Sequence, residues 1–256
     1  MDILVCVKRV PATGGKITLT SDARAIGTRY ASFTVSPHEE CAVEEAIRLV
    51  EAKGGSTTVL TLGPPIAADQ LRDALAMGMQ RAILLQGDGQ EWDPGETARA
   101  IVEAIGSERA SGRIFDLLLF GNEAADTGDY QVPIRVAHAL GWPVVTGIKA
   151  LEVSGNGVAV RREAAGGWET FEFDLPAVIA VKEGLNLPRY PTVPGRLKAK
   201  KAAIGTITPQ SHGNALRMVR LEVPPPNGHK GERLGQGPEA VPAVVDLLER
   251  LGVIAS

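Results

Sequence analysis

The segment GNEAADTGDYQ, residues 121–131, is the first place where residue types suggest chemistry. It follows an apolar run and precedes an amphipathic one. Small and polar residues between a strand and a helix can present backbone N–H groups to a nucleotide phosphate at the helix start. The same composition suits a merely polar connection, and the segment is neither GxGxxG nor a P-loop. Asp126 and Asp129 are poor company for a phosphate, since carboxylates repel it. The remaining candidates are scattered. His38 and His138 have no Ser or Cys nucleophile and acid in register, so a satisfied or solvent-facing ring suits each. Cys6 lies inside an apolar run, where a thiol is inert core. The pairs Glu39/Glu40 and Glu44/Glu45 read as a capping turn and a solvated helix face. Residue types for side-chain catalysis are thinly represented, which fits a protein that binds and positions.

A second cluster is cationic. Arg196, Lys198, Lys200 and Lys201 follow Pro188, Pro191 and Pro194, and apolar Val193 stands among those prolines. The cations read as a solvated run, as the last turn of a short helix where they suit the dipole, or as a partner patch. Prolines stiffen a loop and lower the entropy lost on docking. With Val193 beside them, the partner patch is the favoured reading.

The elements that must position these residues follow from periodicity. Residues 3–7 form a continuous apolar run, as a strand buried on both faces should. Ser36 and Pro37 open a helix with Glu39 as its capping-box acid, and Gly54-Gly55 stops it. Strands are predicted over 57–62, 81–85, 115–120 and 144–148, with helices over 67–77, 94–105 and 132–140. Alternation of this kind means an α/β fold: a doubly wound, mostly parallel sheet with helices on both faces. Ligands on such sheets bind beyond the carboxyl ends of the strands, at a topological switch point, here the loops after Val7, Leu62 and Phe120. Residues 150–153 and 157–162 read as a small antiparallel hairpin, 168–173 as an added strand and 176–181 as a buried strand. After Ile204 the pattern fades into an extended C-terminal arm rich in proline and glycine, including Pro226 and Gly228, before a final helix. The division is residues 1–206, with a partner loop at 185–201, and the arm and helix at 207–256.

Composition sets the outer bounds. The chain has 256 residues, 44% of them hydrophobic, and a net charge of −3. That balance argues against bulk nucleic-acid binding. The two cysteines show no CxxC or Cys/His ligand spacing, against a disulfide framework or zinc site. The first residues read as a strand rather than a signal peptide. No apolar run reaches the roughly 18–20 residues of a membrane span, and a cytoplasmic protein is expected.

Several stretches together resemble one family, the β subunit of electron transfer flavoprotein. They are VCVKRVP at 5–11, SPHEECAVEEAIRL at 36–49, ALAMGMQRAI at 74–83, DLLLFGNEAADTGDYQVP at 116–133 and LPAVIAVKEGLNLPRYPTVPGRLKAKK at 175–201. The last is similar to the family signature LPAVxxxxxxLNxPRYxxLPxxxKAKK. The matches run in order along nearly the whole chain.

The resemblance implies an electron carrier rather than an enzyme. Its partner would be an α subunit holding most of the redox FAD, with the β chain covering one side of the isoalloxazine and its arm wrapping onto α. It implies a nucleotide in the β chain, AMP in the common group or a second FAD in electron-bifurcating members that oxidise NADH. By position the nucleotide site would use Cys6, Ser36, Pro37, His38, Glu39 and Leu62. The loop would add Gly121, Asn122, Glu123, Ala124, Ala125, Asp126, Thr127, Gly128, Asp129, Tyr130, Gln131 and Val132. The loop 185–201 would dock an acyl-CoA or related dehydrogenase through Arg189, Tyr190, Val193, Arg196, Lys198, Lys200 and Lys201. Electrons would pass on to a membrane quinone oxidoreductase. The sequence departs from the family in two places. Tyr130-Gln131-Val132 stands where AMP-binding members have Asn-Gln-Thr, and Ala12-Thr13-Gly14-Gly15 lacks the aromatic residue that often faces the FAD. AMP is the expected nucleotide. A regulatory nucleotide-binding protein without redox role is the rival, and it has no need for the LNLPRY and KAKK stretches.

Overall fold

Three neighbouring strands share one rule. In β1 (Asp2–Cys6), Ile3 and Val5 enter one core while Leu4 and Cys6 enter another. β6 (Leu117–Gly121) divides Leu117 and Leu119 from Leu118 and Phe120 in the same way. β10 (Ala177–Val181) divides Ala177, Ile179 and Val181 from Val178 and Ala180. A strand buried on both faces has no place for a polar side chain, hence the unbroken apolar runs.

The computed structural model describes residues 1–12, 17–87, 89–225 and 231–254. Thr13, Gly14, Gly15, Pro226 and Gly228 lie outside them. The described residues build a nine-stranded sheet. Its order is β11 (Gly205–Ile207), β5 (Arg81–Gln86), β4 (Ser56–Gly63), β1, β6, β10, β7 (Val144–Ser154), β8 (Gly157–Ala164) and β9 (Gly167–Asp174). Pairing is parallel from β11 to β7 and antiparallel from β7 to β9. Helices α1 (Pro37–Lys53) and α2 (Ala68–Met77) cover one core, and α3 (Pro94–Ala110) and α4 (Val132–Leu140) the other. A two-stranded antiparallel ribbon, β2 (Val10–Pro11) with β3 (Phe33–Thr34), precedes α1. The doubly wound α/β architecture is as the alternation predicts. No helix among the described residues is long and apolar enough to cross a membrane.

Four local readings change. Residues 144–148 and 150–153 are one strand of 11 residues, β7. Gly147, at φ 77°, and a register shift between Ile148 and Ala150 let it bend from parallel pairing with β10 to antiparallel pairing with β8. Helix α3 runs on to Ala110. Residues 205–207, expected to be patternless, form the edge strand β11, whose backbone pairing with β5 needs no side-chain pattern. The proline stretch is not irregular throughout. Thr192 caps a helix α5 (Val193–Lys201), its hydroxyl accepting the Gly195 N–H. Pro194 sits in the first turn, where a missing N–H does no harm.

Met1–Val219 form one compact unit and Arg220–Ser256 a second. Residues 212–216 belong to the first, since Asp93 accepts the N–H groups of Ala215 and Leu216. In the second unit α6 (Val241–Arg250) leaves Val241, Val244 and Val245 exposed.

Candidate functional site

The chain leaves β1 for β4 and β5 on one side, and after β6 it crosses to β7 on the other, with β10 later filling the place between them. The carboxyl ends of β1 and β6 therefore flank the topological switch point. Glu39 ties this region together. At the start of α1, Ser36 Oγ accepts the Glu39 N–H at 3.2 Å and Glu39 Oε2 accepts the Ser36 N–H at 2.9 Å, a complete capping box. Glu39 Oε1 accepts the Lys8 N–H at 2.7 Å, just beyond β1. Gly121, at the end of β6, packs so close that a Cβ there would lie 2.7 Å from Glu39 Cγ. Burial pushes the Glu39 carboxyl up to about 7, against the opposing pull of the Ser36 and Lys8 amides. Burial, with Glu39 nearby, also pushes the Cys6 thiol up, which keeps it unreactive. Cys6 and Leu62 both pack into the core under α3 and α4, so main chain is what they chiefly offer a ligand.

The loop after β6 folds on itself. Asn122 is buried and donates its N–H to Val181. Ala124 N–H reaches the Asp129 carbonyl and Gly128 N–H the Ala124 carbonyl. The two awkward aspartates are both engaged. Asp126 Oδ2 lies 2.8 Å from Lys8 Nζ, and Asp129 accepts the Gln131 N–H at 3.1 Å. Lys8 also reaches Glu91 at 3.2 Å. Gln131 Oε1 is held by Arg135, so α4 begins without a side-chain cap, and its amino end remains available to an anion. Ala125, Thr127 and Gly128 are exposed at the tip. His38 Nδ1 accepts the Glu183 N–H at 2.7 Å, and Nε2 lies 3.5 Å from Glu123, to which the exposed Tyr130 hydroxyl is also bonded. The crevice thus gathers Cys6, Ser36, Pro37, His38 and Glu39 with Gly121, Asn122, Glu123 and Asp126.

The second surface is built from beneath. Glu44 and Glu45, expected on a solvated helix face, are buried. Each meets a donor from the 185–192 segment. Glu44 accepts Arg189 Nε at 2.9 Å, Arg189 Nη2 at 3.1 Å and the Arg189 N–H at 3.1 Å. Glu45 accepts Asn186 Nδ2 at 2.9 Å. Glu51 holds the far side of the Arg189 guanidinium at 2.7 Å and 2.9 Å. Arg189 was expected to face a partner; its guanidinium instead fixes the loop to α1. Arg72 from α2 donates to the carbonyls of Ala199, Lys200 and Ala202, capping the end of α5. Gly195 lets α5 meet α2, since a Cβ there would lie 2.5 Å from the Ala76 carbonyl oxygen. What remains outward is apolar. Leu187 is 91% exposed, Tyr190 93%, Val193 72% and Leu197 61%. Arg196, Lys198, Lys200 and Lys201 share α5 with Val193 and Leu197 and are exposed, none in a salt bridge among the described residues.

A family model described as the electron transfer flavoprotein domain matches residues 25–212. The chain belongs to the electron transfer flavoprotein family. It is similar to proteins named electron transfer flavoprotein subunit beta. One, from Syntrophomonas wolfei, is 38% identical over 88% of this chain and 86% of its own length. One from Bacillus subtilis is 36% identical over 78% and 76%. A relative from Oryza sativa, whose name adds "mitochondrial", is 37% identical over 82% and 83%. The stretches at 36–49, 116–133 and 175–201 thus fall on the capping box, the switch-point loop and the segment anchored by Arg189 and Arg72. Sequence reasoning missed Lys8, Glu44, Glu51, Arg72 and Asn186. Lys8 alone had a signal, a cation at a strand end facing an acidic loop. The others meet partners more than a hundred residues away, or in another helix, where no local spacing points.

Two outcomes follow. Glu39 is raised above its unfolded value, so its contribution to stability is full below pH 4.5 and is lost as pH rises to about 7. Glu39→Gln should therefore gain on the native chain by ~3 kcal/mol across that window, read from urea unfolding at several pH values; a constant difference would refute it. Glu44→Ala should cost ~1–3 kcal/mol, since it strips a buried carboxylate from an Arg189 side chain that is only 35% exposed. It should also open residues 185–192 to protease, and unchanged nicking would refute the clasp.

Proposed function

We propose that this chain is the β subunit of a heterodimeric electron transfer flavoprotein, an electron carrier whose docking face is the segment 187–201. The observation that carries this is the exposed set Leu187, Tyr190, Val193 and Leu197, held rigid from behind by Arg189 and Arg72, with the cations of α5 beside it. Monomeric proteins seldom keep such a set on a rigid mount without a partner. A rigid mount lowers the entropy lost on docking, and the cations steer an acidic partner surface. Transient redox contacts are small, so one apolar anchor at Val193 suffices. The partner is an acyl-CoA or related dehydrogenase, and the electron acceptor a quinone oxidoreductase.

FAD is held mainly by the α subunit, and when bound it accepts and passes on electrons. This chain's own work is architectural. His38 stands at the α1 end of the crevice with its ring fixed by the Glu183 amide. The crevice is proposed to hold AMP, with the open amino end of α4 and main-chain groups of Gly121 to Val132 facing the nucleotide. Two features support an anion there. Asp126 is neutralised by Lys8, and Asp129 is turned to the Gln131 amide.

Val193→Asp should slow electron transfer from the dehydrogenase while FAD stays bound. Burying a valine is worth ~1.5–3 kcal/mol, so docking should weaken about tenfold or more; unchanged transfer kinetics would remove Val193 as the anchor. Co-expression with an α subunit should yield a yellow heterodimer with one FAD and, on acid release, AMP. Two flavins per dimer would instead indicate the bifurcating type, and a colourless chain that captures no α subunit would end the carrier reading.

A further inference from the structure

Three ties from α1 hold the chain that follows β10. Glu45 meets Asn186, and Glu44 meets Arg189. The third comes first along the chain: His38 Nδ1 accepts the Glu183 N–H at 2.7 Å. Only this one is made by an imidazole, a side chain that changes charge between about pH 5 and 8. A neutral imidazole that accepts at Nδ1 carries its proton on Nε2. That nitrogen lies 3.5 Å from Glu123 Oε1, in the loop after β6. Only 17% of the His38 side chain and 31% of the Glu123 side chain are exposed, so salt screens the pair weakly. The root of the ring is seated as well, since a Cβ on Gly121 would lie 3.3 Å from His38 Cβ.

The two nitrogens cannot serve both neighbours once the ring gains a proton. Imidazolium has an N–H donor on each side. The Nε2–H keeps Glu123 and now pairs with it as an ion. The Nδ1–H meets a second donor, the Glu183 N–H, and the bond that held Glu183 is lost. Other groups on the surrounding elements bias this exchange without replacing either partner. Glu39 and Glu40 lie on the same helix, and Lys182 and the Glu183 side chain on the turn after β10. On the loop with Glu123, Asp126 is taken by Lys8, Asp129 by the Gln131 amide, and the Tyr130 hydroxyl by Glu123 itself.

We infer that His38 is a proton-operated tie between the loop after β6 and the root of the segment 185–201. Neutral, it holds both. Protonated, it keeps the loop and releases Glu183. The relation is reciprocal: a crevice ligand that draws Glu123 away makes protonation harder and so favours the hold on Glu183. The tie requires neither the nucleotide nor the heterodimer reading.

The test follows amide exchange at Glu183 from about pH 7.5 to 5.5, corrected for the intrinsic rate, in the purified protein with whatever subunit copurifies. Protection should fall about fivefold in the native chain, the worth of one net hydrogen bond. His38→Gln should stay flat, because its Oε1 can accept the Glu183 N–H and its amide does not titrate. Glu123→Gln should move the midpoint of the fall down by about half a pH unit, since the imidazolium loses its counter-charge. Glu39 titrates nearby, at about 7, but is present in all three proteins, so the difference between His38→Gln and the native chain isolates the ring. Amides of Val5 and Leu119, buried in the sheet, report the fold. No fall in the native chain, or the same fall in His38→Gln, overturns the tie. A midpoint unmoved in Glu123→Gln removes its link to the loop.

Discussion

A helix that buries three of its carboxylates must find donors for each, because an unpaired charge in a core is prohibitive. Helix α1 buries Glu39, Glu44 and Glu45. Its apolar residues Ala42, Val43, Ala46 and Ile47 lock it to the sheet. Its acids then dictate what comes to it. Glu39 draws in the amides of Ser36 and Lys8, closing the switch-point crevice. Glu44 and Glu45 draw in Arg189 and Asn186, which fold the segment 185–192 back onto the same helix. One rigid element therefore sets both candidate surfaces, and neither can shift without unpairing a buried carboxylate.

Buried pairs of this kind contribute little net stability compared with an apolar replacement. Their value is register. The segment 185–192 has few apolar side chains turned inward, and hydrophobic contact alone is non-directional. A forked guanidinium between two carboxylates admits one orientation. With Arg72 gripping the far end of α5 and Gly195 allowing its close approach to α2, the apolar residues are left facing out. Exposure of Leu187, Tyr190 and Val193 is thus a result of how the polar groups beneath are satisfied.

Much of this was legible in the sequence. The two-sided apolar runs and the Ser36-to-Glu39 capping box are local patterns, and local patterns survive folding. The motif at 175–201 marked the segment that helices α1 and α2 hold in place. What escaped was non-local or context-dependent. Glu44 and Glu45 follow the rule that adjacent helical acids face water until a donor arrives from Asn186 and Arg189 in a distant segment. Helix α5 was only one of three readings of the cationic run, because prolines argue against helix everywhere except its first turn, and only the Thr192 cap places Pro194 there. β7 was divided because Gly147 looks like a break, whereas it serves as a bend between two pairing partners.

The acidic loop shows why residue types alone mislead about charge. Glu123, Asp126 and Asp129 beside a proposed phosphate site seem self-defeating. Burial pulls the Lys8 ammonium down, but Asp126 and then Glu91 more than offset it, so Lys8 stays charged and Asp126 is neutralised. Asp129 is tied to a backbone amide, and Glu123 faces His38 and the Tyr130 hydroxyl. Meanwhile Arg135 occupies Gln131, the side chain best placed to cap α4. The acids are thus consumed by internal donors, and the donors at the helix start are left over. An anion site can be assembled among carboxylates provided that each has a nearer partner than the ligand.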